Sequence, residues 1–127
     1  MDKASLVEVD LTKSERIVSA LENHGIRVTV ALWVHFPEYE NWRFVLAAKD
    51  LDPLNLGDAY LKINRILTNA GLSVWETPRI FIMKTTDPFV RALRKGFKKF
   101  TNVTGMHIGG QTWGDRYIDD AYAYKIA

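Results

Sequence analysis

Residues 26–36 constrain the fold more than any other stretch. Ile26, Val28, Val30, Leu32, Val34 and Phe36 alternate with Arg27, Thr29, Ala31, Trp33 and His35, and a period of two marks an extended strand whose successive side chains leave opposite faces. A strand this long crosses a whole sheet, and the first set is predicted to face the core. Pro37-Glu38-Tyr39-Glu40-Asn41 interrupts the pattern, and Trp42 to Ala48 resumes it with Trp42, Phe44, Leu46 and Ala48 on one side. So short a connection predicts an antiparallel hairpin.

The flanking segments read as helices and further strands. Leu11 to Gly25 is predicted helical, with Thr12-Lys13-Ser14-Glu15 as a capping box, Ile17, Val18, Leu21 and His24 on one face, and Gly25 just past the end. Lys49 to Gly57 has loop chemistry. Asp58 to Ala70 gives a second helix that buries Tyr60, Ile63, Ile66 and Leu67 and stops at Gly71. Arg79 to Lys84 is a short apolar strand, and Asp87 as N-cap with Pro88 behind it starts a third helix. Met106 to Thr112 is a fourth strand carrying a bulge at Gly109-Gly110, and Tyr117 to Ile126 is a fifth, joined to it through residues 113–116.

The order αββαβαββ predicts an α+β fold, a two-layer sandwich of three helices on one face of a sheet of about five strands, mainly antiparallel or mixed, with residues 1–127 as a single domain. The open face would carry Arg27, Thr29, Trp33, His35 and Arg43. Those residues are aromatic for exposed sheet, so a partner, a second subunit or a long loop is expected to cover them. Four tryptophans are many for 127 residues. Trp42 belongs to the core, whereas Trp33 and Trp113 are placed to anchor an interface and Trp75 is open to either reading.

Composition narrows the function classes. With 47% apolar and 25% charged residues the chain has the makings of a folded core rather than a disordered segment. The absence of cysteine removes disulfides, thiolate zinc sites and cysteine nucleophiles together and fits a reducing compartment. No basic run followed by an apolar one opens the sequence, and no apolar stretch is long enough for a membrane span, so the cytoplasm is the expected location.

The net charge of +2 hides a local field. Residues 1–78 carry 8 basic and 11 acidic side chains, residues 79–99 carry 7 and 1, and residues 100–127 carry 2 and 3. Most of that central charge lies on the third helix. At about 100° per residue, Phe89, Val90, Leu93 and Phe97 fall within one arc, and Arg91, Arg94, Lys95, Lys98 and Lys99 fall opposite. Lysine and arginine are usual on a solvated helix face. Yet Arg91/Lys95, Arg94/Lys98 and Lys95/Lys99 are like charges four apart, each costing about 0.2–0.5 kcal/mol in an isolated helix, so the arrangement asks for an anionic partner. Lys84 and Arg79 would widen the patch.

Other chemistry finds little support. His24, His35 and His107 show no HxH, HxxxH or HExxH spacing, which leaves a metal site of His35 and His107 with nearby acids, Glu38, Glu40, Asp115, Asp119 and Asp120 among them, as a minor alternative. Asp119 and Asp120 are neighbours in a strand and should point to opposite faces, with Asp120 turned inward toward backbone N–H groups or a cation. Gly105, Gly109 and Gly110 are not followed by the Lys-Ser/Thr of a phosphate loop, and no serine sits in a GxSxG turn.

The runs ALWVHFPEYENWRFVLAAKDLDPLNLGDAYLKI (Ala31 to Ile63), TDPFVRALRK (Thr86 to Lys95) and YIDDAYAYKI (Tyr117 to Ile126) resemble a small bacterial α+β domain family of about 120 residues, an ordinary domain size, with this element order and no established activity. The resemblance implies a stand-alone bacterial domain and carries over no catalytic residue. Taken together, these features predict a non-enzymatic binding or adaptor protein without a cofactor. It would engage an acidic partner through Arg91, Arg94, Lys95, Lys98 and Lys99, with Trp33, His35 and Arg43 as a second contact surface or a homodimer face. The alternatives are a nucleic-acid binder held by phosphate contacts and a metal-dependent hydrolase or nuclease.

Overall fold

The computed structural model describes residues 3–39, 42–72 and 80–127, with side chains from Leu11 onward. Trp75, Arg79 and Glu40 therefore lie outside the described residues. The elements among those described are α1 (Lys3–Asn23), β1 (Val28–His35), β2 (Arg43–Ala48), a 3₁₀ turn (Lys49–Leu51), α2 (Leu56–Asn69), β3 (Ile80–Met83), α3 (Pro88–Gly96), β4 (His107–Trp113) and β5 (Arg116–Ile126). Their order is the predicted αββαβαββ, and the sheet is mixed.

Five strands lie in the order β3-β2-β1-β5-β4. β1 pairs antiparallel with both β2 and β5, β4 pairs antiparallel with β5, and β3 runs parallel to β2. The parallel pair exists because α2 carries the chain back across the sheet between β2 and β3, a return that a tight hairpin cannot make.

Helices cover both faces, which replaces the expected two-layer stacking. Ile17, Val18 and Leu21 of α1 and Ala59, Ile63 and Leu67 of α2 pack with Ala31, Trp33, Phe44, Leu46 and Ile82 on one face. Phe89, Val90 and Leu93 of α3 pack with Val30, Leu32, Val34, Val45, Ile108, Ile118 and Ala121 on the other. The physical reason lies in β1 itself. Ala31 and Trp33, which alternate with its strongest apolar residues, are themselves apolar, and a strand apolar at both parities is buried on both sides. Every residue of β1 except His35 is buried.

A register irregularity between Val28 and Val30 shifts the alternation by one. Val28 consequently joins the α1/α2 side and Val30 the α3 side, so the set predicted to share one core is divided between two. The register also pairs Trp33 with Phe44 and Val34 with Arg43. Trp33 and Arg43 therefore occupy opposite faces, not the common open face that was expected.

α1 begins well before the predicted capping box. Residues 3–23 contain neither proline nor glycine to stop a helix, so Thr12 to Glu15 lie mid-helix. Ser14 is buried, and its Oγ accepts a hydrogen bond from Trp33 Nε1 at 2.6 Å. α2 starts earlier than predicted because Asn55 caps it, accepting from the Asp58 amide at 2.8 Å. The half-buried Tyr60 hydroxyl accepts from Ile82 N at 3.0 Å and donates to Ile80 O at 3.2 Å, fastening β3 to α2.

Removing the Ser14 hydroxyl leaves a buried indole N–H without this acceptor, a loss of about 1–3 kcal/mol. Chemical denaturation of Ser14→Ala should show that loss with an unchanged m-value, and a variant as stable as the parent would refute the role. A second expectation concerns Tyr124. Burial first, then the charges of Glu15 and Glu22, push its phenol above the ordinary 10.0. With the folded value raised, stability is complete below about pH 10 and is lost as pH rises through the folded value. Absorbance titration should find one late-ionising tyrosine that Tyr124→Phe removes, and identical curves for the two proteins would contradict the assignment.

Candidate binding surface

α3 is set by its two ends. Asp87 caps the start, accepting from Phe89 N at 2.9 Å, and Pro88 fits the first turn, where its missing N–H is not needed. Gly114, in the turn between β4 and β5, presses against this end: it has φ +63°, and an added Cβ would stand 2.4 Å from Pro88 O. Gly96 closes the helix at a similarly close approach, where an added Cβ would meet Trp113 Cζ3 at 2.6 Å. The Phe97 and Trp113 rings lie 5.4 Å apart.

This early stop changes the charge geometry. Lys98 and Lys99 lie in the turn after the helix, so of the three like-charge pairs only Arg91/Lys95 sits within α3. Arg94 and Lys95 occupy its last turn, where the negative end of the helix dipole favours cations by about 0.3–1 kcal/mol each. Part of the apparent repulsion is therefore met locally. Arg94 is also engaged, its Nε donating to Ala127 O at 2.9 Å. Arg91, Lys95, Lys98 and Lys99 are exposed, and none of them forms an ion pair with a described residue.

Trp33, His35 and Arg43 are not brought to this surface. Trp33 is 3% exposed beneath α1 and is not available to a partner. Arg43 places its guanidinium 4.6 Å above the Tyr39 ring. His35, half-buried at the end of β1, lies beside Trp42 with ring centroids 5.7 Å apart. β1 and β2 are buried along nearly their whole length, so Trp33, His35 and Arg43 do not form the shared open sheet face that was expected.

The structure does assemble a second group that spacing alone conceals. Asp119 Oδ2 accepts from His35 Nδ1 at 3.3 Å, and Asp120 Oδ1 pairs with His107 Nε2 while also accepting from Ala121 N at 3.0 Å. The neighbouring carboxylates take different histidines on one side of the sheet, not on opposite faces as expected, because the β4/β5 pairing skips Gly110/Asp119, where Gly110 has φ +61°; Asp120 meets a backbone N–H, as expected. His107 stacks on Tyr122 at 4.5 Å with ring planes 9° apart. Gly109 faces Asp120 across the β4/β5 pair, and an added Cβ would be 3.1 Å from Asp120 Oδ1. Among the described residues, no three histidine, aspartate or glutamate side chains converge on a point that suits a metal ion. No sequence signal announced these pairs, because His35 and Asp119 lie 84 residues apart and meet only when β5 returns beside β1.

No family model, curated protein or solved structure matches the chain. Among the described residues no helix is long and apolar enough to cross a membrane.

Because Gly114 combines positive φ with close approach to Pro88, Gly114→Ala should cost more than about 1 kcal/mol by denaturation. Wild-type stability in that variant would show that the turn does not hold the start of α3.

Proposed function

We propose that this chain is a cytoplasmic, non-enzymatic binding protein that holds an acidic partner protein against α3. The observation that carries the reading is the set of four exposed cations, Arg91, Lys95, Lys98 and Lys99, without ion pairs among the described residues. These cations stand on or directly after a helix pinned at both ends by glycine contacts. A charge cluster on a rigid element keeps its geometry when a partner arrives, so less is lost to ordering on binding. The cysteine-free composition supports the cytoplasmic setting.

An acidic protein is favoured over nucleic acid because the patch is small and no base-reading motif accompanies it. A hydrolytic reading gains nothing from His35 and His107, each of which is satisfied by its own aspartate.

The test compares binding of poly-glutamate and of duplex DNA by the parent and by an Arg91→Glu, Lys95→Glu, Lys98→Glu variant. The parent should bind poly-glutamate at low salt, and the variant should lose more than about tenfold in affinity while keeping the parent's thermal midpoint. Equal binding by both proteins would remove the proposal. Preference for DNA, with log affinity falling about 0.9 per phosphate contact against log salt, would move the assignment to nucleic acid.

A further inference from the structure

Two concavities meet at the start of α3. The first, about 430 Å³, lies where α2, β3 and α3 approach one another and is walled by Leu51, Leu54, Leu56, Phe81 and Met83. Its size falls within the roughly 300–1,000 Å³ range of ligand pockets. Leu56, in the first turn of α2, is 59% exposed at this wall, so apolar surface is left in water beside an apolar hollow. The charges lining the hollow cancel: the carboxylates of Asp52 and Asp87 are matched by Lys84 and Arg116. Both carboxylates are committed to the backbone, Asp52 accepting from Thr85 N at 2.9 Å and Asp87 from Phe89 N at 2.9 Å.

The second concavity, about 510 Å³, runs along α3 and shares Pro88 with the first. Its other lining residues are Arg91, Ala92, Arg94 and Lys95, three cations and no acid. Arg94 is held there by its bond to Ala127 O. A neutral apolar hollow therefore passes, at one proline, into a cationic one.

We infer that the acidic partner is anchored by one large apolar side chain in the hollow between α2, β3 and α3, and that its acidic residues follow within a few positions on Arg91, Arg94 and Lys95. This rests on the acidic-partner reading and names the motif that the partner carries. Pro88 lies about 4.5–10.5 Å from Arg91 to Lys95 along the helix axis at 1.5 Å per residue, a distance that an extended chain at about 3.3 Å per residue covers in about one to three residues. A single side chain can occupy the leucine wall alone, whereas a long alkyl chain would also cover the ionised groups of the hollow and strip their water without replacing it. The hollow therefore favours a peptide over a lipid.

The test uses peptides blocked at both ends, with Leu one residue away from three consecutive Glu, made in both chain directions, and the same peptides with Ser in place of Leu. In at least one direction the Leu peptide should bind the parent at least about tenfold more tightly than its Ser counterpart, the gain expected from burying one leucine side chain. Methyl-labelled methionine gives a readout in the protein itself. The Met83 signal should shift with the Leu peptide and not with the Ser peptide, while that of Met106, directly before β4 at the other edge of the sheet, stays in place. Equal binding of the Leu and Ser peptides, lost in the Arg91→Glu, Lys95→Glu, Lys98→Glu variant, would overturn the anchor and leave the cationic face standing. Tighter binding of the Leu peptide without movement of the Met83 signal would also overturn the anchor. If the triple variant binds every peptide as the parent does, both readings fail. A Met83 shift with phosphatidylserine vesicles and none with any peptide would give the hollow to lipid instead.

Discussion

The fold is arranged around a central strand whose residues, His35 excepted, are buried. β1 has β2 on one flank and β5 on the other, so its backbone groups are paired in both directions, and its side chains enter two separate cores. Burying a valine or leucine side chain contributes about 1.5–3 kcal/mol, and from Val30 to Val34 β1 does this on alternate sides. Each layer then has a consequence. Trp33, driven inward, brings an indole N–H that must be satisfied, and Ser14 of α1 supplies the acceptor. The irregularity at Val28/Val30 lets the strand's start serve the α1/α2 side while its body serves both.

α3 has the opposite character. It is short, it covers the second face almost unaided, and its position is fixed at its ends by contacts that only glycine allows. Pro88 sits on Gly114 and Gly96 sits under Trp113, so the turn between β4 and β5 and the last residue of β4 both hold it in place. An amphipathic helix held in this way buries Phe89, Val90 and Leu93 and presents its remaining residues in a fixed pattern. The helix dipole accounts for Arg94 and Lys95 near the C-terminal end, but it does not reach Arg91, one turn earlier, which is why the whole cluster is not explained by local stability.

Much of the fold was legible in the sequence because the strongest signals are local. Alternation over residues 26–36, the break at Pro37, and the Asp87-Pro88 start each name an element through its own geometry. Face assignment was less legible, since alternation shows that two faces differ and does not say which is covered. Ala31 and Trp33 were the available clue, being too apolar for an open surface. The start of α1 was misread because a Thr-x-x-Glu pattern satisfies a cap only where the helix has reason to begin. For the surface, the cations of α3 were legible from helical periodicity, whereas Trp33 followed its strand into the core. The His35–Asp119 and His107–Asp120 pairs depend on which strands become neighbours, and β5 lies beside β1 without adjoining it in sequence.

The charges outside the cores explain why net charge says little about this chain. At physiological salt the Debye length is about 8 Å, close to the roughly 10 Å that separates packed layers. A group arriving at the β4 edge therefore senses α3 and the aspartate pairs as separate fields rather than as their sum. The cations of α3 lie on one side of the sheet plane, and the two carboxylates, each tied to a histidine, lie on the other. The net charge of +2 averages over fields that salt keeps apart, and it describes neither side of the sheet.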